Sequence, residues 1–162
     1  MFAMNPPVVL LVEDSPDDVD FARRALARTG VACRLVVAEQ GDHALKLLGE
    51  PDPDSPNSAT LRPALILLDL NTPGMTGRDL LRRIKTDERW CSIPVVVLST
   101  SRHQSDIEGC YRAHANSYHT KSDDLARYQN TLRQIVEYWL GAVVPAPTCP
   151  EPLGAPCDHV GA

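Results

Sequence analysis

Short apolar runs recur along the chain at near-even intervals. VVLLV at Val8–Val12, ALILL at 64–68 and PVVVL at 94–98 are unbroken, and RLVVA at Arg34–Ala38 nearly so. Runs of this length without polar alternation predict strands covered on both faces, as in a parallel sheet. A weaker fifth strand is expected at Ser117–Thr120. Between the runs the apolar spacing changes to that of helices. Val19, Ala22, Ala25 and Leu26 share one face over 16–28, with Ser15 placed to cap, Pro16 at the first position and Gly30 just past the end. Ala44, Leu45 and Leu48 predict a helix over 42–48, and Leu80, Leu81 and Ile84 another over 76–87. A weaker one spans 103–114 through Ile107, Cys110 and Tyr111. The last, over 124–140, carries a stripe of Leu125, Tyr128, Leu132, Ile135, Val136 and Trp139.

Strand and helix thus alternate five times. That pattern predicts an α/β fold: a doubly wound parallel sheet with helices on both faces and right-handed crossovers, in the flavodoxin-like strand order 2-1-3-4-5. Proline-rich polar sequence at 51–63 reads as a loop. The chain divides into a short extension at 1–6, one domain over 7–141 and a proline-rich segment over 142–162, whose composition predicts a loose tail.

Charge and composition narrow the function classes. The formal net charge of −5 leaves no basic footprint, which argues against nucleic-acid binding. No apolar run approaches the roughly 18 residues of a membrane span, and the N-terminus lacks the features of a signal peptide. The five cysteines are scattered, none at CxxC spacing, which argues against zinc and for reduced thiols in a cytoplasmic protein. His43, His103, His114 and His119 show no ligand spacing.

In an open α/β sheet, chemistry gathers where the strands end at their carboxyl edge. Glu13 and Asp14 follow the first strand, Asp69 the third, Ser99 the fourth and Lys121 the fifth. In the expected order the first and third strands are neighbours, so three carboxylates, a hydroxyl and an ammonium converge. Such a group suits a hard divalent cation, and magnesium is satisfied by one or two carboxylates plus waters. Without the cation the carboxylates repel one another and at least one pKa rises. A carboxylate beside it can act as a nucleophile toward a phosphoryl group.

Four segments carry a family resemblance: Val12-Glu13-Asp14-Ser15, Asp69 through Gly77 (DLNTPGMTG), Val97-Leu98-Ser99-Thr100-Ser101, and Tyr118-His119-Thr120-Lys121. In this order and spacing they resemble the bacterial two-component response-regulator receiver domain. The VEDSPDD opening, the long loop before the third strand and the Tyr138-Trp139 ending look most like single-domain regulators paired with phytochrome-type histidine kinases. The resemblance implies that Asp69 is the phosphoacceptor, that Asp14, Asp69 and the Asn71 backbone carbonyl bind Mg2+, and that Glu13 does so through water. Ser99 would be the switch hydroxyl, Lys121 the phosphate partner, and Tyr118 the aromatic that follows Ser99. Asn71 and Ser101 would flank the attacking water and set the phosphoryl lifetime. The implied partner is a sensor histidine kinase, of bacteriophytochrome type. Separately, Tyr138 and Trp139, late in the last helix and followed by Val143-Val144, are surplus to a small domain's core and read as an exposed apolar patch through which a second copy of the chain would dock. Output would pass through the face formed by the expected fourth helix, fifth strand and last helix, with no output domain and no enzymatic turnover beyond self-phosphorylation and slow autodephosphorylation.

Two positions depart from the family pattern. Ser122 stands where proline with a cis bond is usual, and Thr72 where methionine is common. Two other classes stay open at this point. A small phosphatase on a similar sheet needs an acid/base aspartate two residues after its nucleophile, where this chain has Asn71. A scaffold-only pseudo-receiver predicts missing acids or a missing lysine, and none is missing.

Overall fold

The computed structural model describes residues 6–50 and 60–146. Five parallel strands, β1 (Val8–Val12), β2 (Arg34–Ala38), β3 (Leu65–Asp69), β4 (Val95–Ser99) and β5 (Ser117–Thr120), form one sheet in the order β2-β1-β3-β4-β5. The helices are α1 (Pro16–Ala27), α2 (Gly41–Leu47), α3 (Gly77–Thr86), α4 (Gln104–Arg112) and α5 (Leu125–Glu137), followed by a π-helical turn at Tyr138–Ala142. The predicted fold and strand order are therefore the observed ones.

β3 and β4 are buried at every position, as unbroken apolar runs require of central strands. Alternate side chains feed two cores. Leu10, Val12, Ile66, Leu68, Val95 and Val97 face Leu45, Leu80, Leu81, Ile84 and Trp90. Val9, Leu11, Leu65, Leu67, Val96 and Leu98 face Ala22, Ala25, Leu26, Leu132 and Val136 from α1 and α5. Trp90 is fully enclosed, its indole N–H donating to the Leu48 carbonyl at 3.1 Å. Ser15 caps α1, Thr76 caps α3 and Asp124 caps α5, each accepting a backbone N–H through its side chain.

Three sequence expectations change. Leu125 is 43% exposed at the first turn of α5, so the buried stripe begins at Tyr128. Tyr111 is likewise exposed, and Cys110 alone anchors α4 fully in the core. The last helix does not run on regularly to 140. At Tyr138 it widens, with the Val143 N–H bonding back to the Tyr138 carbonyl. This turn sends the two neighbouring aromatics different ways. Trp139 packs against the α1/α5 core while Tyr138 is 58% exposed, their rings meeting edge-on with centroids 5.4 Å apart. An exposed patch containing both aromatics is thus reduced to Tyr138. Val143–Ala146 then line a cavity of about 300 Å³ with Pro7, Ala64 and Pro94. The extension at 1–5, most of the 51–63 loop, and the tail from 147 with Cys149 and Cys157 lie outside the described residues.

Candidate functional site

Register brings the site together. Val12 pairs with Leu68, which sets Glu13 level with Asp69 on the neighbouring strand. Asp69 pairs with Leu98 and Ser99 with Thr120, so Ser99 and Lys121 follow along the same edge. Two backbone bonds continue the ladder past the strand ends: Glu13 N–H to the Ala38 carbonyl at 3.0 Å and Lys121 N–H to the Ser99 carbonyl at 2.8 Å. The second holds the Lys121 turn with no cis peptide bond among the described residues, so Ser122 does not interrupt it.

Oxygens of Glu13, Asp14 and Asp69 lie within 4.8 Å of one another. Glu13 and Asp69 are buried and Asp14 is exposed, which leaves one side open to solvent. Lys121 reaches into this cluster, its side chain only 8% exposed. Its ammonium donates to Glu13 Oε2 at 2.7 Å, to Asp18 Oδ2 at 2.7 Å and to Asp69 Oδ2 at 3.0 Å. All three of its protons are therefore used. Burial opposes the charged ammonium, but the bonds from Asp18 and Glu13 outweigh it and hold the Lys121 pKa well above its ordinary value. Glu13 is pushed up to about 7, chiefly by burial and also by the Asp69 charge, although Lys121 and the Ser15 N–H stabilise its anion. One ammonium faces four carboxylates here. The oxygen donor set, its spacing and its surplus negative charge fit a small hard dication.

Asp18 is the residue that sequence reasoning missed. It sits in the first turn of α1 with its N–H facing the Ser15 hydroxyl at 3.4 Å, and its carboxylate is free to meet Lys121. Acids in a first helical turn, as Asp17 and Asp18 are, have a sufficient local reason in the helix dipole. The available signal was place: Asp18 lies in the first turn of the helix that starts just after Glu13 and Asp14. Tyr128 on α5 was read only as core. It is buried close enough to these charges for Lys121 and Asp18 to act on it, and its phenol pKa is raised, mainly by burial.

The loop after β3 is held tightly. The Asn71 N–H donates to Asp69 Oδ1 at 3.0 Å and Thr72 Oγ1 to the Met75 carbonyl at 3.2 Å, so Thr72 fills its position by a hydrogen bond. Gly74 takes a positive φ of 76°. Gly77 is required by close approach, since a Cβ there would lie 2.3 Å from the Asp69 carbonyl oxygen.

Ser99 is completely buried and its Oγ accepts the Ser101 N–H at 3.2 Å. Tyr118 is half-buried against the core, and its hydroxyl donates to the Ser101 carbonyl at 2.8 Å. Ser99, Ser101 and Asn71 line one polar cavity of about 390 Å³ with Leu70, Arg78 and Asp106. Glu13, Asp14 and Asp69 thus cluster, Lys121 bonds Glu13 and Asp69, Asn71 adjoins Asp69, and Ser99, Ser101 and Tyr118 form a connected flank. Tyr138 and Trp139 stand apart from the site.

The family described as the response regulator receiver domain matches residues 9–133. The response regulator Rcp1 of Synechocystis is 39% identical over 140 residues, covering 86% of this chain and 93% of its own. Its Mn2+-bound structure superposes with a TM-score of 0.80 at 36% identity, over 88% of this chain and 100% of that one. The phosphorylated cyanobacterial phytochrome response regulator RcpA gives 0.80 at 37% identity, with the same coverage of both chains. The bacteriophytochrome response regulator AtBRR gives 0.67 at 29% identity, over 89% of this chain and 99% of its own.

Proposed function

Since the chain belongs to the response regulator receiver family of two-component signalling, we propose that Asp69 accepts the phosphoryl group and holds it as a switchable charge. The observation that carries this reading is the position of Asp69: buried, 3.0 Å from the Lys121 ammonium, and grouped with Glu13 and Asp14. Asp69 Oδ would attack the phosphorus of a kinase phosphohistidine. The new O–P bond forms as the P–N bond breaks, with its electron pair leaving on the imidazole, which takes up a proton. Asp14, Asp69 and the Asn71 carbonyl would hold Mg2+ directly and Glu13 would hold it through water. When bound, the ion supplies neutralisation of charge on the phosphoryl oxygens. The Mn2+-bound form of Rcp1 supports a divalent cation as the bound group.

Lys121 would redirect one of its N–H bonds from a carboxylate to a phosphoryl oxygen. Ser99 would donate its hydroxyl proton to another. Its movement releases the Ser101 N–H, and Tyr118, bonded to the Ser101 carbonyl, responds to the same loop. A phosphoryl group adds about −1.5 to −2 charges, enough to shift the population of the α4-β5-α5 face. Asn71 in place of a second aspartate favours storage over turnover, so the chain acts as a switch and not as a phosphatase. The likeness to RcpA and AtBRR, both phytochrome response regulators, supports a phytochrome-type sensor kinase as the donor. Cytoplasmic placement and function without nucleic acid accord with the net charge of −5 and with the absence of any membrane-length apolar helix among the described residues.

The exposed Tyr138 beside α5 supports docking of a second copy there. Acetyl phosphate with magnesium should label the wild type and not Asp69→Asn. Light scattering should show a dimer that Tyr138→Glu weakens; an unchanged mass for that variant would remove Tyr138 from the interface.

A further inference from the structure

Ser101 is the crossing point of a hydrogen-bond network that extends well beyond the phosphoryl site. Its N–H goes to Ser99 Oγ at 3.2 Å and its carbonyl accepts from Tyr118 at 2.8 Å. Its hydroxyl donates to Asp106 Oδ2 at 2.6 Å, and the other oxygen of that carboxylate takes Arg78 Nη2 at 2.6 Å. Arg78 comes from α3 and Asp106 from the first turn of α4, so the pair ties two helices together beside the cavity that Ser99 and Asn71 line.

Three features make this tie more than a surface ion pair. Both carboxylate oxygens of Asp106 are engaged, one by each partner, which fixes its rotamer and direction. The Arg78 guanidinium carbon lies 3.7 Å from the place a Cβ on Gly109 would occupy, so the fork rests on bare α4 backbone. α4 has little else to fix it: His103 offers no side-chain cap, a glycine sits in its interior, and Cys110 is its one fully buried side chain. Asp106 is held below the usual carboxylate range by the Ser101 hydroxyl and Arg78, which agrees with the geometry.

We propose that Asp106, aligned by Arg78, is a positioning residue that sets the lifetime of the phosphoryl group by holding the Ser101 hydroxyl away from the attacking water. This inference rests on Asp69 carrying that group. In hydrolysis, water oxygen bonds to phosphorus and the P–O bond to Asp69 breaks. Its electron pair returns to the Asp69 carboxylate, and the water proton leaves with phosphate or to solvent. A serine hydroxyl lining the cavity can hold that water in line. While Asp106 accepts the Ser101 proton in a short charge-assisted bond, the hydroxyl is committed elsewhere. Phosphorylation that moves Ser99 also pulls on the Ser101 N–H, and through Asp106 it reaches the first turn of α4.

The test is the rate of label loss after full-length protein is phosphorylated with acetyl phosphate and magnesium and the donor is removed. Asp106→Ala should shorten the lifetime at least about threefold, Arg78→Ala less so, and Asp106→Asn, which keeps one acceptor for the hydroxyl but loses the Arg78 pair, should match Arg78→Ala. In a Ser101→Ala background, Asp106→Ala should change nothing, a dependence that simple loss of helix stability would not produce. An Asp106→Ala lifetime equal to wild type, or a shortening that persists without the Ser101 hydroxyl, overturns the inference. Wild-type protein that takes no label at residue 69 overturns the Asp69 reading instead.

Discussion

Lys121 Nζ lies 2.7 Å from Asp18 Oδ2, a carboxylate outside the Glu13, Asp14 and Asp69 cluster. Asp18 can therefore keep hold of the lysine while the other acids take up a cation. Asp18→Asn should lower the free energy of urea unfolding by about 1–2 kcal/mol, as loss of one charge-assisted bond implies. It should weaken magnesium binding less than Asp14→Asn does. Titration of magnesium into both variants checks this, and the reverse order would count against the division of roles.

Removing the ammonium leaves Glu13, Asp18 and Asp69, the three of the four acids that it bonds, without their counter-charge. Lys121→Met should cost about 3 kcal/mol in metal-free buffer, the scale seen when one member of a buried charge pair is deleted. Added magnesium should then restore more stability to this variant than to the wild type, measured as the shift in melting temperature. Equal shifts in the two proteins would mean that Lys121 is not the main counter-charge.

Gly77 is the tightest point of the loop that carries Asn71. A Cβ would sit 2.3 Å from the Asp69 carbonyl oxygen and 2.6 Å from the Leu70 Cα, both backbone atoms that cannot turn aside. Gly77→Ala should destabilise by about 1–3 kcal/mol, as overpacking does. It should also slow phosphorylation, because α3 is forced away from the end of β3. Full stability and a normal labelling rate for this variant would show that the loop gives way at no cost.

His119 faces a groove lined by Asn116, Ser117, Thr131 and Gln134, with no carboxylate in it, and burial holds its pKa below the ordinary 6.5. A lowered histidine means that the unfolded chain binds the extra proton first. Stability from this group is complete above about pH 6.5 and is lost as pH falls from there through the folded-state value. Urea unfolding between pH 7 and 5 should show a steeper loss for the wild type than for His119→Gln, and NMR titration should place the imidazole below 6.5. Identical pH slopes would remove His119 from this role.

β1, β3 and β4 could be read from sequence because a strand buried on both faces has to be apolar at nearly every position, and VVLLV, LILLD and VVVLS are, whereas the half-exposed edge strand β5 reads more weakly. Glu13, Asp14 and Asp69 were legible because they close such runs, and Lys121 because it follows the weaker fifth strand; parallel register then fixes their meeting. Asp18 was not, since an acid in a first helical turn has a sufficient local reason to be there. The parting of Tyr138 and Trp139 depends on a single π-helical turn, which a 3.6-residue period does not encode. Asp106 and Arg78 lie 28 residues apart on different helices, and only their packing around Gly109 shows the pairing.

The most direct test is to trap the acyl phosphate where it forms. After treatment with acetyl phosphate and magnesium, borohydride reduces an aspartyl phosphate to homoserine with release of phosphate. Peptide mass spectrometry should then find homoserine at position 69 in the wild type and nowhere in Asp69→Asn. Homoserine at another aspartate, or none in labelled wild-type protein, would contradict the account.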